Sequence, residues 1–377
     1  MGIIYLDYNA TTPVAPEVIQ EMLPYLTEQF GNPSSGHVFG RKTKEAVIRA
    51  RKQVAELIGC LPEEIVFTSG GSEADNLALK GIAYAHWNKG KHIITSQIEH
   101  PAIINTCRCL EEHGFKVTYL PVDSSGTVNP DEIRKAINRS TILISIMHAN
   151  NEVGTIQPIS EIGEIARQNS IYFHTDAAQS VGKILTNVNE LKVDLLTMAA
   201  HKFNGPKGIG ALYVRRGTKV EPLICGANQE GGLRAGTENV ASIVAMGKAC
   251  ELALQELDRR IVDMTELRDF FYHLLIENIE GVTLNGHPRN RLPNTLNVSF
   301  KGINAGELLA MTPEIAASTG SACHDGAQTL SPVLAAMGLE PEHGLGTVRL
   351  SLGHVTTREQ ILQAVEILSE RVARIRS

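Results

Sequence analysis

The sequence predicts an α/β fold, a mostly parallel sheet with helices on both faces, joined to a smaller α+β domain. Three observations carry that expectation. The chain has 377 residues, well beyond one typical domain. Between residues 65 and 214 short β-rich runs alternate with longer stretches of helical period, which demands crossover connections and so parallel strands. After residue 238 the pattern changes to a long helix-rich region without proline, followed by a few isolated strand-like and helix-like segments.

In chain order the predicted strands are 65–68, 92–95, 116–120, 141–147, 171–174, 194–198 and 210–214, short apolar runs of the kind a buried sheet holds. Helical periodicity covers 75–84, 103–113 and 159–168 between them. Residues 238–279 read as helical, 295–300 and 348–352 as strands, and 305–311 and the stretch from Arg358 as helices. A boundary near 254–260 gives a large cofactor-binding domain of residues 14–255 and a small domain of residues 1–13 and 256–377.

Composition narrows the function. With 43% hydrophobic and 20% charged residues the chain is neither disordered nor a coiled coil. A net charge of -6 leaves no basic surplus for a phosphate backbone, so direct nucleic-acid binding is not expected. No apolar run of about 18 residues predicts a membrane span. Residues 1–7 lack a basic flank and an apolar core, and Leu6 stands where a myristoylation motif wants Ser or Thr. Six cysteines at this length do not form a disulfide framework. A cytoplasmic protein with reduced thiols is the expectation.

In such sheets ligands gather beyond the C-terminal ends of the strands. After 65–68 comes Ser69-Gly70-Gly71-Ser72, then a helix, a small-residue turn that presents free N–H groups and suits an anion. Ser72 adds a hydroxyl, or serves as a plain helix cap. The nucleotide and dinucleotide glycine patterns are absent. After 171–174 comes Asp176, which needs a cationic or N–H partner in the crevice or else caps a helix. After 194–198 come His201 and Lys202; desolvation there would lower the pKa of Lys202 and make it an amine nucleophile, whereas Lys207 is expected to face solvent. Glu99-His100 and 148–152 follow two further strands. An anion turn, an acid, a lysine, a histidine and an asparagine on one sheet edge fit a phosphate-bearing aldehyde cofactor: the lysine for its aldehyde, the acid for its pyridine nitrogen, the helix N-terminus for its phosphate.

With these residues the chain resembles the cysteine desulfurases of the NifS/IscS type, in the class-V aminotransferase group of pyridoxal-phosphate fold-type I. The resemblance runs nearly end to end, through Tyr5-Leu6-Asp7-Tyr8-Asn9-Ala10-Thr11-Thr12, Phe30-Gly31-Asn32-Pro33 and Arg349-Leu350-Ser351-Leu352-Gly353. Asp176 with Gln179, His201-Lys202 and Gly320-Ser321-Ala322-Cys323, in that order, are its specific motifs. It implies pyridoxal 5'-phosphate as cofactor, and conversion of L-cysteine to L-alanine with a persulfide left on Cys323. It further implies that Lys202 bonds the cofactor and moves the proton at Cα, Asp176 meets the pyridine nitrogen, His100 stacks on the ring and Gln179 meets the phenolic oxygen. Gly71, Ser72 and His201 would hold the phosphate, and Thr237 would reach it from the other subunit of a homodimer. Asn151, also at the cofactor, and Arg349 would hold the substrate carboxylate. A sulfur-acceptor protein would take the sulfur onward.

Cys323, between Gly320 and Gly326, is expected in a loop able to swing, with His324 beside it to favour the thiolate. Cys60, Cys107, Cys109, Cys225 and Cys250 read as structural thiols; Cys107 and Cys109 are two apart in a helix and so face different sides. The sequence departs from the family pattern at Ala199, where a hydroxyl is frequent, at Gly231, where arginine is usual, and at Gly226-Ala227-Asn228, where glycines run together. His324-Asp325-Gly326 after Cys323 resembles selenocysteine lyases and desulfurases serving DNA sulfur modification rather than those of iron–sulfur cluster assembly. Selenocysteine lyase is therefore the alternative reading. A serine hydrolase using Ser72 lacks the last glycine of its elbow, which is Ala74 here. A scaffold with a decayed cofactor site is the third reading.

Overall fold

The computed structural model describes residues 2–319, 321–324 and 327–377, with only the backbone described at 321–324 and 327–329. Along the chain the strands are β1 Ile4–Tyr5, β2 Ile65–Thr68, β3 His92–Ser96, β4 Lys116–Leu120, β5 Thr141–Ser145, β6 Tyr172–Asp176, β7 Leu195–Ala199, β8 Gly210–Val214, β9 Val282–Leu284, β10 Thr295–Phe300, β11 Ile315–Ala316, β12 Ser318–Thr319, β13 Ser321–His324, β14 Ala327–Leu330 and β15 Thr347–Ser351.

The large sheet has the order β2-β8-β7-β6-β5-β3-β4. All its neighbours pair in parallel except β8, which is antiparallel to both β7 and β2. No crossover helix separates β7 from β8, so the chain turns straight back, and reversal is the only pairing open to it. Side-chain alternation divides the strands between two cores. Phe67, Ile94, Ile144, Phe173 and Leu196 face one side, against Val54 and Ile58 of the helix Val38–Ile58 and Ile243 and Met246 of the helix Val240–Asn278. Val66, Ile93, Leu143, Leu195 and Leu212 face the other, against Leu77 and Ile82 of the helix Gly71–His86 and Ile103 and Leu110 of the helix Pro101–Glu112. The mostly parallel sheet covered on both faces is thus the one the sequence predicts.

A second sheet, antiparallel in the order β12-β15-β10-β9, packs with the helix Arg358–Arg376 around Phe300, Val348, Leu350, Ile361 and Leu368. Ile4 and Leu6 join this core, and β1 pairs in parallel with β11. The helix Val240–Asn278 runs unbroken for 39 residues through the expected boundary, its first half in one core and Phe271 and Leu275 in the other. The chain therefore passes from one core to the next along a helix and not a linker. The backbone around Cys323 also differs from expectation. β13 and β14 form an antiparallel hairpin that pairs Cys323 with Gln328, where the glycines predicted an irregular loop. Among the described residues no helix is long and apolar enough to cross a membrane.

Candidate active site

A cavity of about 330 Å³ lies beyond the C-terminal ends of the parallel strands. Gly71, Ser72, His100, Asn151, Asp176, Gln179, His201, Lys202 and Arg349 all line it. Thr237 does not line it and is exposed. The side chain of Cys323 lies outside the described residues.

β2 leads into the helix Gly71–His86 through Gly70, whose φ of 153° is a backbone state side chains avoid. Gly70 is the N-cap, so the first-turn N–H groups receive no side-chain acceptor. Ser72 is therefore a first-turn residue and not the cap that one sequence reading allowed. Ala199 forms the wall beside Gly71, and a Cβ built on Gly71 would sit 3.5 Å from its Cβ. Glu73 accepts from Ser69 N–H at 2.7 Å and pairs with Arg234 at 2.9 Å, which ties the turn to the stretch that carries Thr237. At the unusual Gly231, both Glu230 (φ 48°) and Gly231 (φ 64°) are left-handed. Glu230 receives Arg51 through two bonds of 2.8 and 2.7 Å and Phe67 N–H at 2.9 Å, so glycine suits this bend.

Asp176 ends β6, buried, with Oδ1 accepting from Ala178 N–H at 2.9 Å. Burial pushes its carboxyl up, while that N–H, His100 and Lys202 draw it down. Lys202 closes a 3-10 turn, Ala200–Lys202, directly after β7. Its Nζ donates to Asn9 O at 2.7 Å and Ala10 O at 2.9 Å. Burial pushes its pKa down to about 8, helped by Arg349 and opposed by Asp176 and Asp7. Lys207 is exposed, as expected. His201 shares Nδ1 with Thr11 Oγ1 at 3.2 Å, and burial first, then three lysines, push it down to about 4, so it meets a ligand uncharged. His100 caps its helix by accepting from Ala102 N–H at 3.1 Å, and desolvation lowers its pKa although the residue as a whole is exposed.

Arg349 comes from the smaller sheet, on β15 between β10 and β12. It donates to Asp7 Oδ1 at 2.7 Å, Ser318 Oγ at 3.0 Å and Asn151 O at 3.0 Å, while its buried Nε has no partner. A guanidinium fixed by three bonds, with two of its five N–H donors unspent, suits a carboxylate entering the cavity.

Two lining residues escaped the sequence reading. Asn9 joins the two halves of the site: its backbone O accepts from Lys202 and Gln179, and its amide reaches Thr295 Oγ1 at 2.8 Å and Asn151 O at 3.2 Å. It lay unread inside a motif quoted for resemblance alone. Asp75 is fully buried, its Oδ1 without a hydrogen bond and 3.8 Å from His174 Nε2. Burial pushes that carboxyl well up and pushes His174 down to about 3, both toward the uncharged form, which disfavours an ion pair at this distance. The signal was periodic: residues 75, 78, 79 and 82 share one helical face, and an acid among Ala78, Leu79 and Ile82 is out of place.

The family model for aminotransferase class-V matches residues 4–364. The chain is 51% identical over 376 residues to a cysteine desulfurase IscS of Dictyoglomus turgidum, covering 99% of this chain and 95% of that one. Among solved structures a NifS-like protein superposes with a TM-score of 0.93 at 38% identity, covering 99% of this chain and 100% of that one. SspA in complex with cysteine superposes with a TM-score of 0.83 at 41% identity, over 92% of this chain and 98% of that one. The chain belongs to the class-V aminotransferase family, and within it to the cysteine desulfurases of the NifS/IscS type. Similarity along the whole length leaves the hydrolase reading of Ser72 without support.

Proposed function

We propose that the chain takes the sulfur of L-cysteine, releases L-alanine and carries the sulfur as a persulfide on Cys323 to an acceptor protein, using pyridoxal 5'-phosphate as a homodimer. One observation carries this reading: Lys202, Asp176 and an uncapped helix N-terminus line a single cavity. The donor set fits the cofactor. Lys202 would hold its aldehyde end, Asp176 its ring nitrogen, and the first-turn N–H groups at Gly71 with Ser72 and His201 its phosphate, Thr237 arriving from a second copy. Ala199 supplies no hydroxyl there, which costs about 0.5–1.5 kcal/mol of phosphate binding.

When bound, the cofactor supplies the electron sink that makes the substrate's Cα proton removable. Lys202, lowered to about 8, is matched to taking and returning that proton near neutral pH. Arg349 and Asn151 fix the substrate carboxylate, and His100 covers the ring face. The Cys323 thiolate bonds to the substrate sulfur as the Cβ–S bond breaks, and a proton returned to Cβ completes alanine. In this reading residues 14–255 hold the cofactor, and residues 1–13 with 256–377 bring Arg349 and Cys323 to it.

Replacing Cys323 by Ala tests the assignment. Alanine release from cysteine is expected to fall at least about a hundredfold, while the visible band of the bound cofactor persists. Unchanged release would remove the persulfide, and a variant that still turns over selenocysteine at the wild-type rate would mark a selenocysteine lyase. Arg349→Ala is expected to raise KM for cysteine by roughly 10- to 100-fold, the loss of one charge-assisted contact, with a smaller change in kcat. Steady-state kinetics with Arg349→Lys, which keeps the charge and loses the fork, should fall between the two.

A further inference from the structure

Lys183 is buried in the turn that follows β6, 5% exposed, and among the described residues it forms no ion pair. A buried ammonium without a carboxylate is costly, so a side chain retained there must be used by its neighbours. Its Nζ donates to Gln179 Oε1 at 2.8 Å and to Asn9 Oδ1 at 3.2 Å. Both acceptors are amide carbonyls, and each amide is thereby turned. With Oε1 taken by Lys183, the Nε2 end of Gln179 points the other way, donating to Asn9 O at 2.9 Å and keeping a second N–H. Asn9 is fixed in the same sense, since Asn294 Nδ2 also donates to its Oδ1 at 3.0 Å. Its own Nδ2 then donates to Thr295 Oγ1. Asn9 O in turn holds Lys202 Nζ. Lys183 donates to both carbonyls here, whereas an amide left alone could present either end to the cavity.

We infer that Lys183 is a positioning residue: by donating to Gln179 Oε1 and Asn9 Oδ1 it sets the Gln179 amide with its N–H end, not its carbonyl, toward the cofactor cavity. This rests on the reading that Gln179 meets the phenolic oxygen of the cofactor. A donor facing that oxygen favours the more negative form of the chromophore, so losing the donor raises the pH at which the visible band changes.

The experiment titrates the visible absorption of the cofactor-loaded protein with pH in wild type, Gln179→Leu, Lys183→Met and the double variant. Each single substitution is expected to raise the midpoint by about 0.5–1 pH unit, and the double variant no further than Gln179→Leu. Lys183→Gln, which restores a donor at similar length, should return the midpoint toward wild type. A midpoint unmoved in Gln179→Leu would sink the reading of Gln179 itself. A midpoint moved by Gln179→Leu and unmoved by Lys183→Met would overturn the positioning role, as would a Lys183→Met shift that persists in full without Gln179. Should Lys183→Met fail to fold, Gln179→Glu decides: it keeps the acceptor toward Lys183 and removes the donor toward the cavity. Its midpoint should rise as in Gln179→Leu, and a wild-type midpoint would overturn the orientation.

Discussion

Lys202→Ala is expected to lower kcat for alanine release by about 10⁴-fold or more and to leave the fold intact. On the proposed reading two losses combine in that figure, the amine that would hold the cofactor's aldehyde end and the base that would move the Cα proton. No other amine can take over. Lys183, the next lysine, is committed to Gln179 and Asn9, and Lys207 faces solvent. Lys202→Arg should not rescue turnover, because a guanidinium stays protonated at any pH the protein survives. Small primary amines such as methylamine should restore a measurable fraction, since removing the side chain adds to a cavity already about 330 Å³ in volume. Stability should hold or improve, because burial depresses this amine to about 8 and so opposes folding at neutral pH. Rates near wild type in the alanine variant, with the protein folded by circular dichroism, would refute the role of Lys202.

The polar strand ends that carry this site were legible because they break a simple rule. Lys202 and Asp176 follow runs of buried apolar residues, where charge has no structural reason to be. Gly70-Gly71-Ser72 joined a strand to a helix with no side chain suited to cap it except Ser72, and the structure moves the cap to Gly70. The sheet was legible for a related reason, since alternating strand and helix periods admit few topologies. Reversal of β8 was not, because strand direction depends on a connection that carries no periodic signal. The helix Val240–Asn278 hid its crossing between cores in the same way: its apolar face simply changes partner along its length. Asn9 and Lys183 were invisible for another cause. Their value lies in the bond of Asn9 to Gln179, 170 positions away, and in the bond between the two, 174 positions apart, and a single sequence records no such pairing. The hairpin at Cys323 was read as a loop because flanking glycines in a sequence suit a loop as well as a hairpin.

Glu99→Gln is expected to gain stability over the wild type steadily as pH rises, by about 4 kcal/mol between pH 4.5 and 8 and about 2 kcal/mol of that above pH 6.5. Glu99 is buried immediately before His100. Its Oε1 accepts from Ser96 Oγ at 2.6 Å and Met147 N–H at 3.0 Å, while Oε2 has no partner. Burial, aided by the charge on Asp176, pushes the carboxyl up to about 8 from an ordinary value of 4.5. Because the folded value is the higher one, the folded chain keeps a proton that the unfolded chain releases. Stability from Glu99 is therefore complete below pH 4.5 and drains away as pH rises toward 8. Glutamine keeps the Oε1 acceptor and never ionises, so the difference between the two chains isolates this one group from Lys183, His148 and His174, whose pKa values burial lowers and whose trend with pH is opposite. Urea unfolding of both cofactor-free proteins at pH 5, 6.5 and 8 measures it, and a difference that stays flat would show Glu99 ionised in the folded state. The consequence reaches the chemistry. Burial raises Asp75, Glu99 and Asp176 alike, but only Asp176 has cationic groups beside it, His100 and Lys202, that draw it back down. Asp75 and Asp176 line the cavity while Glu99 lies buried behind His100, so burial disfavours charge at all three and only Asp176 has cations to restore it, as the proposed pairing with a ring nitrogen needs.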